Sequence, residues 1–282
     1  MTQTATGLRD AACAMAREAG AVLLEGYGRV HAPEKKGRID LVTEYDRRSE
    51  ALLLARIRER FPEHAILAEE SGVHAAAGPR EPSRSESPEA TDTRWICDPL
   101  DGTTNFAHNY PFFGVSVGVE VRGAMAAGAV YDPVRDEMFA AAAGGGATLN
   151  GRPIHVSAID RIEDALLVTG FPYDVREHPG RHLPLFQDFL LSAQGVRRDG
   201  SAALNLCYVA MGRFDGMWEG NLNPWDIAAG SLIVREAGGT ITGYAGEPLR
   251  LDGRRIVAGN PGLHARMLEV VALHPEAGVV VG

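Results

Sequence analysis

Two aspartates three residues apart, Asp98 and Asp101, are the side chains of this chain best suited to chemistry, within a run that reads D-P-L-D-G-T-T-N. A Trp-Ile-Cys run precedes them, which predicts the end of a buried strand, and the proline between them excludes a helix interior. Such a turn directs both carboxylates into one space, where their like charges repel unless a cation joins them. Gly102 permits a close backbone approach, Thr103 adds a hydroxyl group, and a helix beginning here would offer free N–H groups to a phosphate. Oxygen ligands beside a phosphate cradle indicate Mg²⁺ and phosphoryl chemistry.

Three further acids occur in similar positions. Glu69 and Glu70 end a short apolar segment, residues 65–68, and Asp226 stands at a predicted helix start. Taken singly, the glutamates also fit the solvated end of a strand, and Asp226 fits an N-cap or first-turn acid. Taken together, acids at strand ends and helix starts favour one shared cation site.

Composition limits the class of protein. The chain has 282 residues, an apolar fraction of 45% and a net charge of −9, which suit a soluble globular protein of one large domain or two joined lobes. The acidic balance and the lack of a dense Lys/Arg tract mean that nucleic acid is not an expected partner. The three cysteines are scattered, no signal peptide is evident, and no apolar run is long enough for a membrane span. We therefore expect reduced cysteines, no membrane partner and a cytoplasmic location.

Apolar periodicity predicts the elements that position these acids. Residues 8–23 predict an amphipathic helix, residues 46–60 a second helix, and residues 65–68 the strand that delivers Glu69 and Glu70. Residues 75–92 have no periodic apolar pattern, and they fit either a flap over the metal site or filler. Strands are predicted at 115–121, 125–131, 137–142, 165–169 and 256–258, and helices at 183–193, 202–211, 225–238 and 263–272.

Several blocks of the sequence resemble the inositol monophosphatase family, within the larger lithium-sensitive, Mg²⁺-dependent sugar phosphatase superfamily. They occur in family order over residues 8 to 270. The matching blocks are Asp40 to Asp46, Glu69 to Ser71, Trp95 to Phe106, Gly200 to Ala203, Pro224 to Ala229 and Glu236 to Gly239. The resemblance implies a mixed α/β fold, the layered α/β/α/β/α sandwich that also resembles fructose-1,6-bisphosphatase. It also implies a homodimer, an N-terminal lobe (1–155) with most metal ligands, and a C-terminal lobe (156–282) that completes the metal and substrate site.

The resemblance also implies a metal-ligand set. Glu69, Asp98 and the backbone carbonyl of Leu100 would hold one Mg²⁺, and Asp98, Asp101 and Asp226 a second, with a third, weaker ion near Glu69. Two or three ions per site are therefore expected. They would bind phosphate oxygens, stabilise the leaving alkoxide and lower the pKa of the attacking water.

Catalytic roles follow from the same resemblance. Glu70 and the Thr103 hydroxyl would orient the water, Asp46 would accept a hydrogen bond from Thr103, and the N–H groups of Gly102 and Thr103 would hold the phosphate. Attack would be in line, without a covalent intermediate. Asp46 also fits as the N-cap of the second helix, which is compatible with catalysis. Lys35 matches a family lysine near the metals, although Lys36 or a solvated surface role fits as well.

The substrate is expected to be a small phosphorylated polyol or sugar, in the first place myo-inositol monophosphate. Glu219 stands where family members that act on inositol phosphate contact a ring hydroxyl, although it also fits the end of a strand. Ser201 lacks a nucleophile-elbow motif and is predicted to cap a helix. The predicted substrate-binding set is Asp101, Gly102, Thr103, Ala202, Glu219 and Asp226.

Two alternatives stay open. Related enzymes with the same metal core act on fructose 1,6-bisphosphate, histidinol phosphate or 3′-phosphoadenosine 5′-phosphate. The bisphosphates would need a cationic pocket, for which Arg176 or Arg197 and Arg198 are candidates. One bacterial branch of the family also acts as an RNA-associated or RNA polymerase-associated regulatory protein, so the chain also fits a binding partner in place of an enzyme.

Overall fold

The structure is a computed structural model that describes residues 4–29, 34–35, 41–76 and 92–279, without the side chains of Lys35, Leu41 and Tyr173. In these ranges the chain forms seven α-helices and two short 3₁₀ helices (Ile162–Asp164 and Tyr173–Arg176). The α-helices are α1 (Ala5–Gly26), α2 (Glu44–Arg60), α3 (Thr103–Ala107), α4 (Pro179–Ser192), α5 (Ala202–Ala210), α6 (Pro224–Glu236) and α7 (Pro261–Val271).

The strands of the described residues form an eight-stranded sheet, a five-stranded sheet and a small two-stranded ribbon. The ribbon pairs β1 (Glu34–Lys35) with β2 (Leu41–Val42). The larger sheet contains β3 (Ala65–Ala68), β4 (Gly72–His74), β5 (Thr93–Asp101), β6 (Gly114–Val121), β7 (Ala124–Asp132), β8 (Glu137–Ala142), β9 (Ala147–Leu149) and β10 (Arg152–Pro153). The smaller sheet contains β11 (Leu166–Thr169), β12 (Gly195–Arg197), β13 (Gly216–Gly220), β14 (Thr240–Thr242) and β15 (Arg255–Gly259).

The order in the larger sheet is β10-β9-β8-β7-β6-β5-β3-β4, and β3 runs parallel to β5 while the other neighbours are antiparallel. The order in the smaller sheet is β12-β11-β13-β15-β14, in which β11 is parallel to both its neighbours. The carboxyl ends of β3 and β5 therefore lie side by side, which brings the segments after Ala68 and Cys97 together.

Three apolar clusters divide the molecule into five layers. The first packs α1 and α2 against one face of the larger sheet, through alternate residues such as Val115, Val117 and Val119. The second packs α5 and α6 between the two sheets, and the third packs α4 and α7 on the outer face of the smaller sheet. Helices and sheets therefore alternate as α/β/α/β/α, which confirms the predicted fold class.

Most predicted elements are present, with shifted ends. The predicted strand end at Cys97 is wrong, because β5 continues through Asp101 by way of a bulge. The predicted start of α4 at residue 183 is also wrong, because the helix begins at Pro179 with a polar first turn and keeps Pro184 inside. The second helix begins at Glu44, two residues before Asp46, behind a Thr43 cap. The short strands β4, β9, β10, β12 and β14 were not predicted, since each has too few residues to display an alternation.

Candidate active site

The bulge in β5 turns two carboxylates toward the same face of the larger sheet. Asp98 pairs with Ser116 and Asp101 pairs with Gly114, so three steps along β5 correspond to two along β6. In a regular strand, residues three apart would face opposite sides, and one extra residue returns them to the same side. Leu100 N donates to Asp98 Oδ1 at 3.0 Å, which stabilises the bulge after a proline that has no N–H of its own.

Asp98 lies in direct contact with another acid. Its side chain is 2% exposed and shares a hydrogen bond with the carboxyl group of Glu69, which follows the parallel strand β3. Burial raises the pKa of Asp98 well above its usual range, and the negative charges of Glu69, Asp101 and Asp226 raise it further. Two carboxyl groups that share a hydrogen bond require a proton or a cation between them.

Asp101 joins the end of β5 to the start of α5. Its Oδ2 accepts hydrogen bonds from Ser201 Oγ at 2.6 Å and Ala203 N at 2.7 Å, and its Oδ1 accepts from Ala202 N at 3.3 Å. Burial raises the pKa of Asp101 to about 6, against the opposing effect of these hydrogen bonds. Ser201 is the N-cap of α5, as predicted, because its hydroxyl also accepts from Leu204 N.

Asp226 is held in the first turn of α6. Its Oδ2 accepts from Asn223 N at 2.6 Å in a capping box, so its predicted first-turn role is present. Burial raises the pKa of Asp226 well above its usual range, and the charges of Asp101, Glu69 and Glu219 add to this effect. The capping contact and the acidic cluster therefore use the same carboxylate.

Helix α6 lies unusually close to the larger sheet. A methyl group built on Gly118 would lie 2.9 Å from Ala228 Cβ, and one on Gly128 would lie 3.0 Å from Ala229 Cα. Ser116 Oγ also donates to the Trp225 carbonyl at 3.2 Å. Small residues on both surfaces thus set the height of Asp226 above the sheet.

Thr103 contacts its predicted partner, Asp46, and also the Leu100 carbonyl. Its hydroxyl lies 3.0 Å from Asp46 Oδ1 and 3.1 Å from the Leu100 carbonyl, and its single proton can serve one of these acceptors at a time. Asp46 Oδ2 accepts from both the N–H and the hydroxyl of Thr43, so Asp46 belongs to a capping box whose N-cap is Thr43. Burial raises the pKa of Asp46, and its hydrogen bonds oppose that rise.

Gly102 makes the turn from β5 into α3. Its φ of +97° lies in the left-handed region, and a side chain there would approach the Phe112 carbonyl at 3.1 Å. Its carbonyl accepts from Phe106 N at 3.0 Å. The sequence G-T thus places Thr103 at the first position of α3, beside the carboxylates.

Glu219 projects from β13 toward the acidic cluster. Its Oε2 is buried without a hydrogen-bond partner among the described residues. Burial raises the pKa of Glu219 to about 8, the charge of Asp101 raises it further, and Arg198 opposes the shift. A side chain at Gly170 would overlap the Glu219 carboxylate, so the glycine leaves room for it.

Glu69 and Glu70 line a surface cavity of about 470 Å³ together with residues of α2. A larger cavity of about 570 Å³ at Leu149, Asn150, Arg152 and Ile154 shares no lining residue with it. The side chain of Lys35, all of Lys36 and most of the predicted flap (residues 77–91) lie outside the described residues.

The donor set at this cluster fits a hard divalent cation. It consists of carboxylate and carbonyl oxygens, the ligands that Mg²⁺ prefers, and burial, together with like-charge repulsion, keeps the pKa values of Asp98 and Asp226 high. In the described part of the chain, no group of three or more His, Cys, Asp or Glu side chains is arranged to hold a metal ion. The chemistry of the donors therefore fits the ion, while the carboxyl groups of Asp98 and Glu69 are hydrogen-bonded to each other.

Two polar residues of α2 near the cluster were missed from the sequence. Ser49 Oγ donates to the Pro99 carbonyl at 2.8 Å, and Glu50 Oε2 accepts from Glu70 N at 2.9 Å. A signal existed, since they follow Asp46 by three and four residues on the face that carries Leu53 and Ile57. A polar residue on the buried face of an amphipathic helix indicates that its side chain makes a hydrogen bond inside the protein.

Comparison with known proteins agrees with this geometry. The model of the inositol monophosphatase family matches residues 5–276. The chain is 46% identical over 259 residues to the inositol-1-monophosphatase of Synechocystis sp., covering 92% of this chain and 86% of that protein. It is 40% identical over 255 residues to the Nus factor SuhB of Salmonella typhimurium, covering 90% and 91% respectively.

A solved structure gives the same result. The inositol monophosphatase of Anabaena (Nostoc) sp. superposes with a TM-score of 0.83 and 42% identity, over 96% of this chain and 97% of that chain. The match of the family model spans the larger sheet, the smaller sheet and every carboxylate of the cluster. The chain therefore belongs to the inositol monophosphatase family.

Proposed function

We propose that this protein is a Mg²⁺-dependent phosphatase that hydrolyses a small phosphomonoester, with myo-inositol monophosphate as its substrate. The observation that carries the proposal is the convergence of Glu69, Asp98, Asp101 and Asp226 from three segments of the chain onto one mutually repelling cluster, in which Asp98 and Asp101 are buried. Family membership supports a phosphatase. A relative named inositol-1-monophosphatase supports the substrate.

Five residues would supply the metal ligands. Glu69, Asp98 and the Leu100 carbonyl would hold one ion, and Asp98, Asp101 and Asp226 would hold another. The Leu100 carbonyl lies 3.1 Å from the Thr103 hydroxyl and has two lone pairs, so at least one lone pair is free for this role. When bound, Mg²⁺ lowers the pKa of a coordinated water and neutralises charge on the phosphate. Two or three ions per site, and inhibition by lithium, belong to this proposal.

The chain's own residues complete the mechanism. Asp46 accepts a hydrogen bond from the Thr103 hydroxyl, which leaves the lone pairs of that oxygen available to accept a hydrogen bond from a water molecule. Glu70 approaches the same water from the end of β3. The backbone N–H groups of Gly102 and Thr103 hold the phosphate, and attack proceeds in line from the side of Glu70.

Substrate recognition is assigned to the smaller sheet and α5. Glu219 would accept a hydrogen bond from a polyol hydroxyl, because its Oε2 is buried and unpartnered among the described residues. Ala202, Asp101 and Asp226 would line the same side. A site built to bind a hydroxyl group rejects analogues that lack it. The proposal also includes a division into two lobes between residues 155 and 156. It includes a homodimer as well, whose mass light scattering after gel filtration measures.

The experiment is phosphate release by the purified protein, with Mg²⁺ and with EDTA. The panel contains inositol 1-phosphate, fructose 1,6-bisphosphate, histidinol phosphate and 3′-phosphoadenosine 5′-phosphate. The proposal predicts a strong preference for inositol 1-phosphate that EDTA abolishes. Preference for another member would replace the substrate, and no Mg²⁺-dependent release from any of them would reject the enzyme.

A regulatory role is a second candidate, and one observation favours it. A relative that aligns with this chain over 91% of the relative's length is named Nus factor SuhB. The test is a pull-down of RNA polymerase by the wild-type protein and by Asp98→Asn. Retention of polymerase by both proteins would support a role independent of turnover. Retention by neither would leave the phosphatase as the function.

A further inference from the structure

Helix α2 carries polar side chains on its buried face. Asp46 and Ser49 are fully buried, Glu50 is 4% exposed, and Leu53 and Ile57 continue the same face into the apolar core. Buried polar groups are costly unless they are hydrogen-bonded. The partners of these three side chains therefore indicate why they are polar.

Each of the three contacts a different segment of the acidic cluster. Asp46 accepts from Thr103 at the start of α3. Ser49 donates to the Pro99 carbonyl at 2.8 Å, and Glu50 accepts from Glu70 N at 2.9 Å. Helix α2 thus contacts the bulge of β5, the corner that follows β3 and the start of α3.

The contacts of Ser49 and Glu50 occur where sheet pairing stops. The β5–β6 register is interrupted between Asp98 and Asp101, so the peptide after Pro99 is not held by the ladder. On β3, the last bond to β5 is donated by Glu69 N to the Cys97 carbonyl at 3.3 Å, and Glu70 is the next residue. Ser49 and Glu50 hold the backbone immediately beyond regular pairing.

We propose that Ser49 and Glu50 are positioning residues, which fix the Asp98–Asp101 bulge and the Glu69–Glu70 corner for cation binding; this inference rests on the proposed function. Neither side chain is placed on the reacting groups. Ser49 orients the peptide that precedes the Leu100 carbonyl. Glu50 orients the peptide that joins Glu69 to Glu70.

The test uses Ser49→Ala, Glu50→Ala and Glu50→Gln. Glutamine keeps an oxygen that can accept the Glu70 N–H but removes the charge, so it separates hydrogen bonding from electrostatics. Two variants serve as matched controls. Glu59→Ala removes an exposed glutamate from the same helix, and Ser231→Ala removes a buried hydroxyl that donates to the Ala228 carbonyl at 3.0 Å within α6.

The first readout is Mg²⁺ affinity by calorimetry, compared with thermal stability. Loss of an outer hydrogen-bond partner of a metal ligand weakens metal affinity about 10- to 100-fold, and Ser49 and Glu50 bond to the peptide groups that adjoin the proposed ligands Leu100 and Glu69. We expect a loss of that size in Ser49→Ala and Glu50→Ala, affinity within about threefold of wild type in Glu50→Gln, and no change in the controls. Wild-type affinity in both alanine variants, or a loss in Glu50→Gln equal to that in Glu50→Ala, would overturn the inference.

The second readout is hydrogen exchange at the Glu70 amide in EDTA, which does not depend on turnover. Glu50→Ala is expected to accelerate this exchange at least tenfold, with the β3 amides unchanged. Equal exchange in wild type and Glu50→Ala overturns the positioning role whatever the enzyme does. If Glu50→Ala accelerates exchange at the Glu70 amide while the wild-type protein neither binds Mg²⁺ nor releases phosphate, the proposed function is rejected and the contact made by Glu50 is not.

Discussion

Ser201 donates a hydrogen bond to Asp101 over 2.6 Å, and this contact joins the last residue of β5 in the larger sheet to the N-cap of α5 in the layer between the sheets. The same carboxylate accepts the Ala203 N–H at 2.7 Å. A proposed metal ligand thus also completes a helix cap. Stability and metal binding are therefore coupled at Asp101.

Ser201→Ala tests this coupling. The substitution removes both the helix cap and a donor to a buried carboxylate, so we expect a loss of about 1–2 kcal/mol in the free energy of unfolding. Urea denaturation in EDTA measures it. Ser201→Thr retains the hydroxyl and serves as the control, and a change in Ser201→Ala no larger than in the control would contradict the role of this contact.

Glu219 predicts a pH dependence of stability in the metal-free protein. Burial raises its pKa from 4.5 to about 8, so the folded state holds the proton more tightly than the unfolded state. The contribution of Glu219 to stability is fully present below pH 4.5 and is lost as the pH rises through about 8. The expected slope reaches at most about 1.4 kcal/mol per pH unit.

The measurement is urea denaturation between pH 5 and pH 9 in EDTA, on wild type and Glu219→Gln. The glutamine variant cannot ionise, so its free energy of unfolding should fall less steeply across this range. Parallel curves for the two proteins would show that Glu219 ionises freely in the folded state.

Thr103→Val tests the hydroxyl that contacts Asp46. Valine has the same shape but no proton to donate, so kcat should fall about 100-fold or more, with a smaller change in KM. Steady-state kinetics with inositol 1-phosphate measures both constants. Thr103→Ser should restore most of kcat, and a valine variant with kcat near the wild-type value would remove Thr103 from the mechanism.

Gly170→Ala tests whether Glu219 recognises substrate. A methyl group there overlaps the Glu219 carboxylate, which lies at the end of a flexible side chain and moves aside. We expect KM for inositol 1-phosphate to rise about tenfold, as in Glu219→Ala, because one hydroxyl contact is lost. The double variant should be no worse than either single variant, since both act through one carboxylate.

Additive effects in the double variant would contradict that assignment. Gly180→Ala is a matched control, because a methyl group on Gly180 meets no other atom within 4 Å. This variant should retain the wild-type KM.

Long periodic segments determined how much of the fold was predictable. The alternation of Val115, Val117 and Val119 predicted β6, and the apolar spacing from Leu8 to Leu23 predicted α1. The β5 bulge was not predicted, because D-P-L-D resembles a turn and its continuation as a strand depends on pairing with β6. Tertiary contacts decide such cases, since short-range patterns leave them open.

The candidate site was predictable to a similar degree. The acids were identified from their places after apolar strands and at helix starts, and the Thr103–Asp46 contact predicted from the resemblance is present at 3.0 Å. The sequence did not identify Ser49 and Glu50, because a serine and a glutamate give no apolar signal for the buried face of α2.

Among the helices in the described ranges, none combines the length and the apolar character that a membrane span requires.

In the proposed function, the carboxylate cluster holds the Mg²⁺ ions used in phosphate hydrolysis. The most direct measurement is phosphate release from inositol 1-phosphate as Mg²⁺ is varied, for wild type and Asp98→Asn, with circular dichroism of both. We expect wild-type activity to rise with Mg²⁺ and vanish in EDTA. Asp98→Asn should be folded but more than about 100-fold less active at every Mg²⁺ concentration. This loss is larger than the loss of about 10- to 100-fold that follows removal of an outer hydrogen-bond partner of a metal ligand. Wild-type activity that persists in EDTA, or equal Mg²⁺-dependent activity in Asp98→Asn, would show that this cluster does not hold a catalytic Mg²⁺ ion.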